Sequence, residues 1–177
     1  GVAGNLAVNE MHLRFMRRAL ALASRAIARG ELPIAALVVL DGTVIAQAHT
    51  AEVAEGCLLV HAELRALQAA DRLQPFPGQR RDAVLYTNLE PCLMCLGAAM
   101  SFMLGTVVYA LESPGDGAAS LAQGWQRDEA SFAGYRVPEI HGGLLRQESR
   151  ALFQKWLGAH PPGGPVWEWA KSLADLE

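Results

Sequence analysis

Residues 83–111 read AVLYTNLEPCLMCLGAAMSFMLGTVVYAL, and their interpretation decides the fold. AVLYTNL (83–89) is a short apolar and aromatic run of the kind that forms a buried strand. CLMCLGAAMSFML (92–104) has helix composition, GT breaks it, and TVVYAL (106–111) is again β-branched and aromatic. From Pro91 to Leu111 there are 21 residues without a charge, long enough to raise a membrane span of about 20 residues as an alternative. The internal break and the change of period divide the run into helix and core strand instead. Uncharged segments of this type are expected where a parallel sheet is covered on both faces.

Working outward, MHLRFMRRALALASRAIARG repeats apolar residues at helical spacing and stops at Gly30, predicting an amphipathic surface helix over 11–29. Two strands over 34–40 and 43–49 meet at Asp41-Gly42, a dipeptide favoured in tight hairpin turns, and therefore pair antiparallel. VHAELRALQAADRL (60–73) predicts a second helix, ended by the polar loop QPFPGQRRD (74–82). Beyond Leu111, residues 112–135 are turn-rich with one short helix, 137–144 form a short edge strand, and 146–159 form a helix. HPPGGP (160–165) reads as a hinge carrying a last helix over 166–177, whose Trp167 and Trp169 must cover something in the same subunit or in a partner.

The order α-β-β-α-β-α-β, with helices feeding parallel strands, implies an α/β fold: a three-layer α/β/α sandwich around a mixed five-stranded sheet. At 177 residues one domain is expected, over 1–160, with residues 161–177 as a helical tail packing on that domain or on a dimer partner.

Composition narrows the function classes. Hydrophobic residues make up 51% of the chain and charged ones 19%, the balance of a compact globular protein. Fifteen Lys and Arg against 18 Asp and Glu give a net charge of −3, without the basic excess that a nucleic-acid surface shows. That favours a small neutral or cationic partner and leaves RNA binding to a local patch. Three cysteines, two of them in C-x-x-C, do not form the framework of a small secreted domain, and Cys57 reads as a buried small hydrophobe. Gly1-Val2-Ala3-Gly4 lacks an initiator methionine and reads as an added remnant; no signal peptide is recognisable, and a cytoplasmic location is expected.

The chemistry concentrates in two places. His61 and Glu63 open the second predicted helix, and Cys92 and Cys95 open the third, just after Pro91. Residues three apart share a helical face, so two thiolates and one imidazole can occupy three corners of a tetrahedron, a donor set that suits Zn²⁺. No second C-x-x-C completes a four-ligand structural site, and His12, His49, His141 and His160 read as surface or core. The fourth corner is therefore assigned to water or hydroxide on one Zn²⁺ per subunit. Glu63 taken alone is a first-turn helix carboxylate; beside such a water it becomes a general acid and base.

H-x-E followed by P-C-x-x-C, here His61-Ala62-Glu63 and Pro91-Cys92-Leu93-Met94-Cys95, is the pattern of zinc nucleobase deaminases. Over roughly residues 11–157 the chain resembles the cytidine deaminase superfamily, and most closely the branch of bacterial guanine deaminases and tRNA adenosine deaminases. GELPIAALVV, HAE, LEPCLMCLGA and VVYA carry the resemblance. It implies hydrolytic deamination of a free nucleobase or related aminated heterocycle, foremost guanine to xanthine. Deamination of tRNA adenosine or of cytosine or cytidine is the alternative, and a zinc-binding interaction domain is the reading outside enzymes. It also implies a homodimer. Ala62 N–H and the carbonyl around Glu90 are implied to hold the base, with tail aromatics Trp167 and Trp169 stacking on it. Relatives commonly carry asparagine at position 50, where this chain has Thr50, and threonine or serine at position 88, where it has Asn88. Both positions are candidates for setting the substrate.

Overall fold

The computed structural model describes residues 2–74, 80–128 and 130–177, and side chains from Asn9 onward. Most of the loop expected over 74–82 therefore lies outside the described residues. β1 (Ala35–Leu40) and β2 (Thr43–His49) form the expected antiparallel hairpin. Asp41 and Gly42 both have positive φ, 51° and 74°, as a two-residue turn matched to strand twist requires. β1 also pairs antiparallel with β3 (Val84–Leu89), which pairs parallel with β4 (Thr106–Leu111), which pairs parallel with β5 (Glu139–His141). The sheet order is β2-β1-β3-β4-β5, the mixed five-stranded sheet that the pattern implied.

Alternation along β1 assigns the two faces. Ala35, Leu37 and Val39 join Tyr86, Val108 and Ala110 under α1 (Val2–Ala28), whose Phe15, Met16, Ala19 and Ala23 are buried there. Ala36 and Val38 point the other way, into a core with Leu85, Leu89, Val107 and Leu111 that is covered by α3 (Ala62–Leu73) and α4 (Leu93–Ser101). α1 extends nine residues further toward the N-terminus than its apolar periodicity indicated. A helix can continue past the stripe that packs, and only the stripe is visible as a period.

α4 ends sooner than expected. Its last turn closes at Phe102, and Met103 adopts a left-handed φ of 67° before the chain enters β4. Gly105 is obligatory there, because a Cβ would lie 1.8 Å from the Arg81 carbonyl oxygen. The uncharged run is thus helix, turn and core strand. Among the described residues no helix is long and apolar enough to cross a membrane.

Two short helices, α2 (Glu52–Glu55) and α5 (Ala119–Gln123), lie in connections, and α6 (Arg146–Gly158) packs on α7 (Pro165–Ala174). Cys57 departs from its expected burial. The chain leaves α2 through left-handed Gly56 and swings outward, so Cys57 is exposed along with Leu58 and Leu59.

Candidate active site

β3 delivers the chain to α4, and β2 delivers it through α2 to α3, so the first turns of α3 and α4 meet beside the end of β3. His61 and Cys92 are the N-cap residues of those two helices, both with extended backbone, and Cys95 lies one turn into α4. His61 Nδ1 is 3.6 Å from Cys92 Sγ and 3.5 Å from Cys95 Sγ. One ligand atom from each of the three residues falls within 4.8 Å of the others, and this cluster can hold a metal ion.

The donor set, one imidazole and two sulfurs, fits zinc. Its own electrostatics favour one thiolate, at Cys92. Hydrogen bonds from Cys95 and then His61 bring the Cys92 thiol down to about 4. The hydrogen bond to Cys92, opposed by burial, raises His61 to about 9. The Cys95 thiol is pushed up, first by its hydrogen bond with Cys92 and then by burial. The cluster thus holds its protons on Cys95 and His61, where a dication would displace them.

Glu63 lies deeper than the rim. It is 4% exposed and accepts a 2.9 Å hydrogen bond from the Thr87 hydroxyl. Burial raises its carboxyl above the usual range, against hydrogen bonds from Cys95 and Thr87. His61, Glu63 and Cys92 line a cavity of about 270 Å³ together with Ala62, Thr50, Glu90 and Trp169. Its volume is near the small end of ligand pockets, which run about 300–1,000 Å³.

The remaining expected residues divide. Thr50 is 1% exposed at the cavity wall, and its hydroxyl donates to Glu52 at 2.8 Å. Glu90 is at the wall, but its carboxylate accepts from Ser113 N and Ala119 N, each at 3.0 Å. That pins residues 113–119 against the site, and a Cβ at Gly117 would sit 2.3 Å from the Glu90 carboxyl carbon and push that carboxylate off its two donors.

Asn88 is not among the residues that line the cavity. It is fully buried, accepts from Ala35 N at 2.8 Å, and donates to Pro33 O at 2.8 Å and Ser149 Oγ at 3.1 Å. The side chain ties β3 to the entry of β1 and to α6, so it points away from the cavity that Leu89 and Glu90 line. Asn88→Ala strands those partners, and urea unfolding is expected to show a loss of about 3 kcal/mol.

Trp167 packs on the core and is not among the residues that line the cavity, whereas Trp169 is. Glu52, Asp116, Pro165 and Val166 also line it and were not singled out as substrate contacts from the sequence. No motif marks them, since loop 112–118 and the last helix reach the site only through the fold.

Known proteins place this geometry. The family model for the cytidine and deoxycytidylate deaminase zinc-binding region matches residues 9–111. The chain is 30% identical over 146 residues to the tRNA-specific adenosine deaminase of Bacillus subtilis, covering 80% of this chain and 90% of that one. It is 35% identical over 149 residues to the tRNA(Ile)-lysidine synthase of Deinococcus radiodurans, covering 81% of this chain but only 24% of that protein. The solved guanine deaminase of Nitrosomonas europaea superposes with a TM-score of 0.61 at 28% identity, covering 80% of this chain and 81% of that one. With His61, Glu63, Cys92 and Cys95 gathered at one cavity, the chain belongs to the cytidine and deoxycytidylate deaminase zinc-binding family.

Proposed function

We propose that this chain hydrolytically deaminates a free, donor-rich base, foremost guanine, giving xanthine and ammonia. The observation that carries the choice is the cavity's lining. α7 of the same chain contributes Pro165, Val166 and Trp169 to it, and among the described residues no Lys or Arg lines it. Four carboxylates do: Glu52, Glu63, Glu90 and Asp116. Such a lining suits a small planar molecule rich in N–H groups and repels phosphate.

His61, Cys92 and Cys95 would hold zinc, which when bound lowers the pKa of water toward neutrality and makes it nucleophilic. Glu63 then does the proton work. Its carboxylate takes a proton from the attacking water and gives it to the ring nitrogen beside the reacting carbon. A second proton passes by the same carboxylate to the amino group as the C–N bond breaks, so water is consumed and ammonia leaves. Burial and the Thr87 hydrogen bond hold Glu63 in one place for both transfers. Ala62 N–H, in the first turn of α3 where backbone donors have no intrahelical acceptor, would donate to the base.

Trp169 supplies the apolar face. Trp169→Ala is expected to raise KM for the base about tenfold with little change in kcat, as loss of an aromatic contact implies. Steady-state kinetics on the zinc-loaded protein check this.

The second reading, deamination of a tRNA adenosine, is supported by the Bacillus subtilis relative. Zinc-loaded protein should be offered guanine, adenine, cytosine, an aminated triazine and an adenosine-bearing anticodon stem-loop, with ammonia measured from each. Turnover of guanine and not of the stem-loop is expected; the reverse would replace the first reading with the second. A homodimer is part of the proposal, supported by Leu93 and Leu121, 61% and 63% exposed beside Trp125 along an apolar groove over α4.

A further inference from the structure

The four carboxylates at the cavity are not equivalent. Glu63 is committed to proton transfer in the proposed mechanism, and Glu90 is spent on two backbone N–H groups. Asp116 accepts from the Ser113 hydroxyl through Oδ1. Glu52 accepts from the Thr50 hydroxyl through Oε1, and among the described residues that is its only side-chain hydrogen bond. Among the described residues its second oxygen has no side-chain or backbone donor.

Glu52 is also held from behind. It is the first residue of α2, whose next two backbone N–H groups, Val53 and Ala54, donate to the Glu31 carboxylate at 2.8 and 2.9 Å. Glu31 is 1% exposed, an expensive place for a carboxylate unless it fixes something. Thr50, also 1% exposed, fixes the Glu52 side chain as Glu31 fixes its backbone. Glu52 and His61 line the same cavity. The result is a preorganised anionic acceptor at the wall of the metal cavity, with one lone-pair face open.

We propose that Glu52, positioned by Thr50 and Glu31, accepts a ring N–H of the substrate and so selects a free base over its N-substituted forms. This rests on the reading of the cavity as a base site. A carboxylate is acceptor-only, so it favours a ring nitrogen that carries hydrogen and is left unpaired by one that carries a methyl or a sugar. Guanine offers such hydrogens at N1 and in the imidazole ring, and substitution at either nitrogen removes one of them. Thr50 acts as a positioning residue: its hydroxyl touches Glu52, and it sets where the open oxygen lies.

The test is calorimetric binding of guanine, 1-methylguanine and 9-methylguanine to zinc-loaded wild-type protein and to the Glu52→Ala and Glu52→Gln variants. Wild type is expected to bind one methylated base about 10- to 100-fold more weakly than guanine, the scale of a lost hydrogen bond to a charged group. Glu52→Ala is expected to bind guanine more weakly by that same factor and to lose the discrimination. Glu52→Gln, which keeps the shape, is expected to fall between them. Thr50→Val is expected to weaken guanine binding partway and Thr50→Ser to restore it.

The proposal is overturned if wild type binds none of the three bases. It is equally overturned if either Glu52 variant keeps the wild-type ratios, or if all three affinities drop by one common factor. Ammonia release is scored separately. Selective binding without turnover would sink the deaminase reading and leave Glu52's role standing, while turnover with unchanged ratios would do the opposite.

Discussion

Glu63→Gln is expected to remain folded and zinc-loaded while turnover falls by about a hundred- to ten-thousand-fold, the usual worth of a positioned acid and base. The substitution replaces one oxygen of a buried side chain. Glutamine keeps the oxygen that accepts from Thr87, so the packing beneath the cavity survives. Its amide cannot take a proton from water or return one to the base. The loss should appear in kcat with little change in KM, because the side chain's work is confined to the transition state. Zinc content by mass spectrometry and a circular dichroism melt separate this outcome from misfolding. Activity within tenfold of wild type would remove Glu63 from the mechanism.

Cys92→Ala and Cys95→Ala should fail differently, losing metal and activity together. Zinc retention is expected to weaken by more than the roughly 10- to 100-fold typical of outer-shell partners, leaving stoichiometry near zero after dialysis. In the metal-free cluster Cys95 and His61 carry protons, with His61 raised to about 9 by its hydrogen bond to Cys92. Zinc must displace them, so affinity climbs as pH rises toward about 9 and falls as the medium acidifies. Chelator competition across that range measures the slope, and a flat profile would show that those protons are not displaced.

The contrast between these variants follows the part of the molecule that was legible in the sequence. Period-two strands, helical stripes and the Asp41-Gly42 turn carry local information, so the hairpin and the strand–helix–strand unit could be read directly. The ligand triad was legible because each ligand sits at a helix start that the chain itself announces. Other residues take their roles from distant partners. Asn88 stands beside the zinc motif, yet its amide is consumed by Pro33, Ala35 and Ser149, more than fifty positions away in either direction. Glu52 sits in an unremarkable polar stretch and gains meaning only from Thr50 and the buried Glu31. Trp167 and Trp169 look alike in sequence, and only the packing of α7 on α6 decides which one faces the cavity. Cys57 looked apolar and proved exposed, because left-handed Gly56 turns the chain outward before His61.

Helix α7 explains how a family fold shared with a tRNA-specific deaminase can be proposed to serve a free base. His61, Glu63 and Cys92 line the cavity, and Pro165, Val166 and Trp169 of the last helix complete the lining. Gly115 brings the loop that carries Asp116 close beneath Trp169, where a Cβ would lie 3.9 Å from the indole nitrogen.

The most direct measurement of the central claim is ammonia release from guanine by one preparation in three states: zinc-replete, stripped by chelator, and reloaded with zinc. The account predicts turnover in the first, loss in the second and recovery in the third. Undiminished ammonia release from the stripped protein, or none from guanine and every other aminated heterocycle in the replete one, would contradict it.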